Sequence, residues 1–477
     1  MSSTGLDRAS GQSGFFSRPA PVVGCVPVAI AIVVTLVLTN FGKLRVTGDE
    51  PHYLVMADGL VQDGTFDLRN AYRREAQTEN IYGSPLPAPH VVIVNHRWGP
   101  YHEPGLAILL AIPFLVGHTL GSRLALCLIA ALLPLWCFKW LRARQPSATA
   151  AWLAAGLAVG VPISFGASQI YPDLLAGVVA TALMLWLLND GREAAPFRQW
   201  AAFWLVTGLL PWLTLKFLAT TLALTVAAIG MVWGRDRRTE LRTALATCLL
   251  VAIGPATLAA FHMWAFATPL GPRGVEELTS SFGRGAMMFL GLHLDQGQGM
   301  FWQQPLLLAG VAALVPFARR RSRIALLWLV VYASLIVPNS LELARYGGGS
   351  PAGRFGWSAA WLWIVPLGYA LQDGPARWHR LVKPVVIACL AYQALLAVRW
   401  IGDPGVLFPL LDENLAVRNS LFPVALRAWL PSFYFWDFSS YWTYAPNLAS
   451  YTAIGLLGLG GWLSSAHDEH SERGPVL

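Results

Sequence analysis

The chain has 477 residues, of which 55% are hydrophobic and 13% charged, about half the charge of an average soluble protein. Runs nearly free of Asp, Glu, Lys and Arg recur along its length, and roughly twenty apolar residues suffice for a helix to cross the hydrocarbon core; no soluble domain of useful size fits between them. The net charge of +8 does not point to nucleic acid, because the arginines cluster in short connections between apolar runs, which is the positive-inside pattern of a membrane protein.

In chain order, residues 1–18 read as a cytoplasmic tail carrying Arg8 and Arg18. The first apolar run, Pro19 to Gly42, is too long for a signal peptide and lacks a small-residue cleavage site followed by a soluble domain, so it reads as an uncleaved span. An outer loop over 43–121 follows. In it, Thr47-Gly48-Asp49-Glu50-Pro51-His52-Tyr53 opens a helix, with Asp49 suited to the N-cap and Pro51 to the first turn. Leu54, Met56, Ala57 and Leu60 make that helix loosely amphipathic, as expected of one lying along the membrane surface. A second polar cluster runs from Asn95 through His96, Arg97, Trp98, His102 and Glu103 to Gly105. The apolar run behind it, Gly105 to Val116, is bounded by Gly117 and His118 and is too short to span, which suits a helix lying flat.

Further spans are expected near 122–138, 148–168, 171–189, 199–215, 217–233, 243–265, 303–318, 324–340, 357–372, 384–401 and 446–464, making an all-α bundle of about a dozen spans with surface-lying juxtamembrane helices. With Gly105 to Val116 lying flat, every arginine-rich connection falls on the cytoplasmic side: 139–144, 192–198, 235–242, 319–323 and 377–383. The outer face then receives 43–121, 266–302, 341–356 and 402–445. Residues 19–372, about three-quarters of the chain, read as one module. Residues 373–465 form a C-terminal membrane region, whose aromatic stretch Trp429 to Tyr444 suits the headgroup level, and 466–477 a second cytoplasmic tail. Cys25, Cys127, Cys137, Cys248 and Cys389 lie within or beside apolar runs with no CxxC spacing, so they act as small hydrophobes. His262, inside an apolar run, reads as a core histidine.

An Asp-Glu pair just after the first span, a His/Pro/Gly segment opening a short apolar helix, and Arg123 starting the second span together resemble the GT-C superfamily of membrane glycosyltransferases. This superfamily includes the dolichyl-phosphate-mannose protein mannosyltransferases and the aminoarabinose transferase that modifies lipid A. Tyr171-Pro172-Asp173-Leu174, Pro211 to Phe217, His293 to Gly299 and Gly349 to Phe355 add to the resemblance, which covers roughly residues 20 to 370. One departure is His102-Glu103-Pro104, where the mannosyltransferases carry His-Pro-Pro.

The resemblance implies an inverting transfer of a sugar from a polyprenyl-phosphate-linked donor to a lipid, glycan or protein acceptor. The reaction would occur on the extracytoplasmic face of a bacterial inner membrane, among membrane lipids. An acceptor hydroxyl is a poor nucleophile and needs a positioned base. Asp49 suits that role, with Glu50 as a neighbour that orients substrate and raises the pKa of Asp49 by like-charge repulsion. The departing lipid phosphate needs cations where negative charge develops, and Lys216, Arg354 and Arg345 are the candidates. Asp173, His52, Tyr53, Arg97, His102 and Glu103 complete the expected substrate contacts, with His293 and Asp295. No cofactor is required, and no cluster has convincing metal-ligand spacing, although His293 and Asp295 can join Asp49 around a divalent cation. A transporter or lipid flippase is the alternative reading. Such a protein should carry ionisable or helix-breaking residues near the middle of its spans, whereas here the charges gather in outer loops.

Overall fold

A computed structural model describes residues 46–81, 88–189, 195–232, 237–272, 278, 281–343, 345–347, 350–402, 430–431, 433 and 452–460. The expected first span and most of the aromatic stretch 429–444 lie outside the described residues, and the expected span at 446–464 is described only over 452–460. Among the described residues, four helices are long and apolar enough to cross a membrane: Gly105–Arg142, Leu245–Phe266, Ser322–Leu341 and Ala376–Arg399. A fifth crossing is open to the pair Ser147–Val159 and Val161–Ser168, bent by 54° at Gly160, and Pro172–Leu187 and Leu215–Gly230 are shorter apolar helices.

The segment after residue 46 builds the roof of the bundle. Helix α1 (Glu50–Asp63) and helix α2 (Arg69–Thr78) precede a hairpin of β1 (Val91–Val94) and β2 (Arg97–Pro100). The strands pair antiparallel with Val94 opposite Arg97. Asn95 and His96 both take positive φ, 50° and 62°, the geometry of the tight turn that matches strand twist. The all-α expectation is corrected to this extent: Val91-Val92-Ile93-Val94 is a β-branched run long enough for a strand once a partner is present. Glu50 through Ala57 are all buried, so the first two turns of α1 have no exposed face. Leu60 and Val61 further along are half-buried, and α2 and α3 (Gly105–Arg142) are among the elements packed against the helix.

Helix α3 is broken where the sequence placed its boundary. Gly117 and His118 leave helical geometry, with φ/ψ of −145°/19° and 50°/−138°, separating the short run 105–116 from the long one that follows. The elements that carry the site or its support follow. They are α4 (Ser147–Val159) with the short α5 (Val161–Ser164), α6 (Pro172–Leu187), and α7 (Phe197–Leu213) followed by the turn Leu215–Phe217. Beyond α8 (Leu218–Val232), helix α9 (Arg237–Phe266) presses against α7 backbone to backbone. A Cβ on Gly254 would lie 1.8 Å from the Gly208 carbonyl oxygen, and such small-residue contacts let helices approach closely where no hydrophobic effect drives them together. The rest comprises α10 (Phe282–Leu294), α11 (Met300–Gln303), α12 (Leu307–Arg320), α13 (Ser322–Leu341), α14 (Arg354–Ala360), α15 (Ile364–Asp373) and α16 (Ala376–Gly402).

Candidate active site

Asp49 sits immediately before α1 in helical conformation, φ −83° and ψ −11°, and makes no side-chain capping bond. Its carboxylate is directed instead at groups from distant parts of the chain. Oδ2 accepts from both Nη atoms of Arg354 at 3.4 Å, across 305 residues of sequence. Oδ1 lies 3.9 Å from His90 Nδ1 and 3.8 Å from His102 Nε2. With 26% of its side chain exposed, Asp49 can reach a bound molecule while remaining fixed by its neighbours.

Glu50, one residue on, has a different fate. It is fully buried. Its Oε1 accepts from the Ile170 amide at 2.7 Å, its Oε2 accepts from the Thr47 amide at 3.0 Å, and Arg123 Nη2 donates to Oε2 at 3.4 Å. Burial raises the carboxyl above its ordinary range, against the opposing pull of Arg123 and the two amides. The expectation that Glu50 touches substrate is therefore replaced by a tying role: it joins the start of α1 to the segment before α6 and to α3. Tyr171 adds to the same joint by donating its hydroxyl to the Thr47 carbonyl at 2.8 Å.

A line of alternating charge runs on from Asp49. Arg354 Nε lies 3.9 Å from Asp173 Oδ2, Lys216 Nζ lies 2.9 Å from Asp173 Oδ1, and the same ammonium donates to Glu342 Oε2 at 3.4 Å. Aromatic faces support both cations. The Arg354 guanidinium lies 4.2 Å from the Tyr171 ring centre, and Lys216 Nζ lies 4.1 Å from that of Phe355; such contacts strengthen as water is excluded. Asp173 is at the second position of α6, behind Tyr171 and Pro172, and does not cap the helix. Lys216 is held by two carboxylates rather than snorkelling, and Arg354 is 7% exposed rather than a solvated loop charge.

Arg354 is positioned by a glycine-rich loop for steric reasons. Gly347 has φ +88°, and a Cβ there would lie 2.4 Å from Arg354 Nε; its carbonyl accepts from Arg354 Nη2 at 2.8 Å. Gly353 has φ +80°, and a Cβ there would run into the Gln303 amide at 2.2 Å. The His293 to Gly299 motif buttresses this loop from behind. Asp295 accepts from the amides of Gly297, Gln298 and Phe433 at 2.9, 2.9 and 2.8 Å, and Gln298 Oε1 accepts from Gly353 N–H at 2.6 Å. His293 Nδ1 donates to the Phe289 carbonyl at 2.6 Å, which leaves Nε2 to accept from the Tyr332 hydroxyl at 2.5 Å. Burial holds His293 down to about 4. With these partners, His293 and Asp295 do not join Asp49 around a cation.

The donors that do gather at Asp49 are His90 and His102, whose ligand atoms and a carboxylate oxygen of Asp49 all lie within 4.8 Å of one another. Two imidazoles and one carboxylate are a donor set suited to a divalent transition metal. Behind them, His52 stacks on His90 with ring centres 3.8 Å apart, and its Nδ1 is 2.8 Å from the Tyr72 hydroxyl. The same hydroxyl accepts from the His90 amide at 3.2 Å. Burial holds His52 down to about 4. Tyr53 lies under His102, ring centres 4.9 Å apart, and Glu103 accepts from the Leu215 amide at 3.1 Å, fixing the turn that presents Lys216.

Arg97 stands apart, exposed on β2 with its guanidinium 5.4 Å from the Trp264 ring centre. The Arg345 side chain lies outside the described residues. His262 is buried and donates to the Pro269 carbonyl at 3.1 Å, as a core histidine should. Sequence reasoning missed His90 and Glu342. Both had a signal: His90 follows a Pro-rich stretch and precedes a β-branched run, and Glu342 is the carboxylate that follows an apolar span on the outer side.

No protein-family model matches the chain, and no curated protein sequence does. Among solved structures it is similar to ArnT from Cupriavidus metallidurans in the apo state, at 19% identity and a TM-score of 0.50, over 93% of this chain and 78% of that one. The same ArnT bound to undecaprenyl phosphate also aligns, at 19% identity and a TM-score of 0.49 over the same shares. The chain is thus an integral membrane protein with the fold of ArnT, and the resemblance read from its motifs holds at the level of the fold.

Proposed function

We propose that this protein is an inverting glycosyltransferase that moves a sugar from a polyprenyl-phosphate donor to an envelope acceptor on the extracytoplasmic face of the inner membrane, with Asp49 as general base. The observation that carries the reading is the convergence of Asp49, Arg354, Asp173 and Lys216 from four separated segments into one line of charge. A partly exposed carboxylate stands beside Arg354, Lys216 lies further along the line beyond Asp173, and both cations are backed by aromatic rings.

In the proposed reaction the acceptor O–H bond breaks as its oxygen attacks the anomeric carbon, and the proton passes to Asp49. The bond from that carbon to the phosphate oxygen breaks with its electron pair leaving on the phosphate. Arg354 and Lys216 meet that charge, and donors fixed in place beforehand need no reorganisation as it develops. Asp173 and Glu342 are positioning residues that hold Lys216 aimed. A bound polyprenyl phosphate would compete with the carboxylates for the two cations, so the Arg354 contacts to Asp49 at 3.4 Å would loosen as the substrate enters, freeing the base.

The reading requires no metal. Asp49, His90 and His102 would hold a divalent cation if one binds, and it would supply Lewis-acid polarisation of the acceptor oxygen. The deciding experiment uses purified full-length protein in detergent with an undecaprenyl-phosphate-linked sugar, an acceptor glycolipid extract, and release of undecaprenyl phosphate as the readout. Turnover that is lost in Asp49→Asn supports the reading. Full activity of that variant removes Asp49 as base, and sugar-lipid movement across vesicles without release would make the protein a flippase.

A further inference from the structure

A second site lies at the other end of the bundle. Helix α6 starts at the charged line with Asp173 and runs away from it, so Trp186 near its far end is roughly 20 Å distant at the helical rise per residue. There the C-terminal ends of α3 and α6 and the N-terminal end of α7 leave a cavity of about 540 Å³, within the range of ligand sites, about 300–1,000 Å³. Its lining changes character along its length. Lys139, Asn189 and Gln199 line it with charge and amide groups, while Val179, Leu183 and Val206 supply apolar wall. Trp136 and Trp186 also line it, and tryptophan favours the level where headgroup meets acyl chain.

The cavity is a built feature. Arg144 donates to the Leu188 carbonyl at 2.5 Å and to the Trp140 carbonyl at 3.2 Å, and its guanidinium lies 4.5 Å from the Trp140 ring centre, so the end of α6 is tied to α3. Trp186 stacks on Phe203 with ring centres 5.1 Å apart, tying α6 to α7. Among the described residues no carboxylate lines it, and Lys139 stands exposed at its edge. A cation with amide donors above an apolar slot is complementary to one chemistry, an anionic head on an acyl chain. Basic pockets between membrane helices on the arginine-rich side recognise such heads.

We infer that this groove binds an anionic glycerophospholipid of the surrounding bilayer, its phosphate against Lys139 and an acyl chain along Val179, Leu183 and Val206. The site is independent of sugar transfer, and its occupant belongs to the leaflet opposite the charged line. Bound there, the lipid would brace α3, α6 and α7, and α6 carries Asp173 at its other end.

The test is native mass spectrometry of the full-length protein in detergent, with phosphatidylglycerol or phosphatidylcholine added at equal concentration, alongside Lys139→Glu, Val206→Trp and Asp49→Asn. Retention of phosphatidylglycerol at least fivefold above phosphatidylcholine is expected. Lys139→Glu should abolish that preference, Val206→Trp should lower retention of phosphatidylglycerol, and Asp49→Asn should change neither. Val206 is 41% exposed, so its replacement tests the slot without disturbing the core. Equal retention of the two lipids by the unaltered protein, or an undiminished preference in Lys139→Glu, overturns the proposal, as does loss of the preference in Asp49→Asn.

Discussion

Asp49 and Glu50 are neighbours of the same charge, yet the fold treats them in opposite ways. Glu50 is sealed, with bonds of 2.7 and 3.0 Å to two backbone amides and Arg123 at 3.4 Å. Asp49 is a quarter exposed, and its contacts to Arg354, His90 and His102 run from 3.4 to 3.9 Å. A sealed carboxylate with its lone pairs occupied holds elements together. An open one with long contacts can exchange its partners for substrate. Proximity in sequence therefore says little about shared function: the peptide between these residues is the boundary between scaffold and proposed chemistry.

The comparison is sharpest when each carboxylate is replaced by its amide. Asp49→Asn is expected to lower turnover at least 10³-fold, within the span of about 10²–10⁴ that a general base contributes, with the melting temperature in detergent unchanged. Lys216→Gln comes next, with a loss of about 10²-fold in turnover, the size expected when one donor to a developing anion is removed. If the phosphate is met there, that loss appears in kcat rather than KM. Glu50→Gln should act on stability instead. It leaves Arg123 facing a neutral partner in a dry site, a change of about 3 kcal/mol read as a lower melting temperature, and Glu50→Gln with Arg123→Met should recover part of it. An active-site phenotype of Glu50→Gln with undiminished melting temperature would erase the distinction drawn here.

A smaller effect is expected from the buttress. Burial keeps His293 neutral, with its pKa held down to about 4 from 6.5, so the unfolded chain binds the additional proton between those values. Its contribution is present above pH 6.5 and is lost as pH falls towards 4, by about 3 kcal/mol at most. Melting temperatures measured from pH 7.5 to 4.5 should show that slope, and His293→Gln should remove its share, leaving that of His52, which burial also holds down to about 4. The smallest effect is Arg97→Ala, expected to change turnover less than twofold because the side chain is exposed and meets only the Trp264 ring among the contacts described for it.

Much of the architecture was readable from residue order because membrane crossing demands long apolar runs and a break shows as their interruption. The interruption at Gly117-His118 is one such case, and the Asp-Glu pair ahead of a Pro-led helix is another. The β hairpin was hidden because four apolar β-branched residues suit a strand only when a second strand is present to pair with them. The enclosure of α1 from Glu50 to Ala57 was hidden because its sequence, rich in apolar and small residues, is equally suited to a half-exposed face.

By itself, then, the sequence determined that this is a many-helix membrane protein with its carboxylates, histidines and selected cations gathered in the segments between spans. Tertiary structure alone decided which of those groups meet. Arg354 reaches Asp49 across 305 residues, His90 supplants His293 beside that carboxylate, and Glu342 shares Lys216 with Asp173. The physical reason is range: apolar periodicity and helix-start chemistry act over a few residues, whereas an ion pair depends on how whole helices stack. That stacking is set by packing spread over the entire bundle.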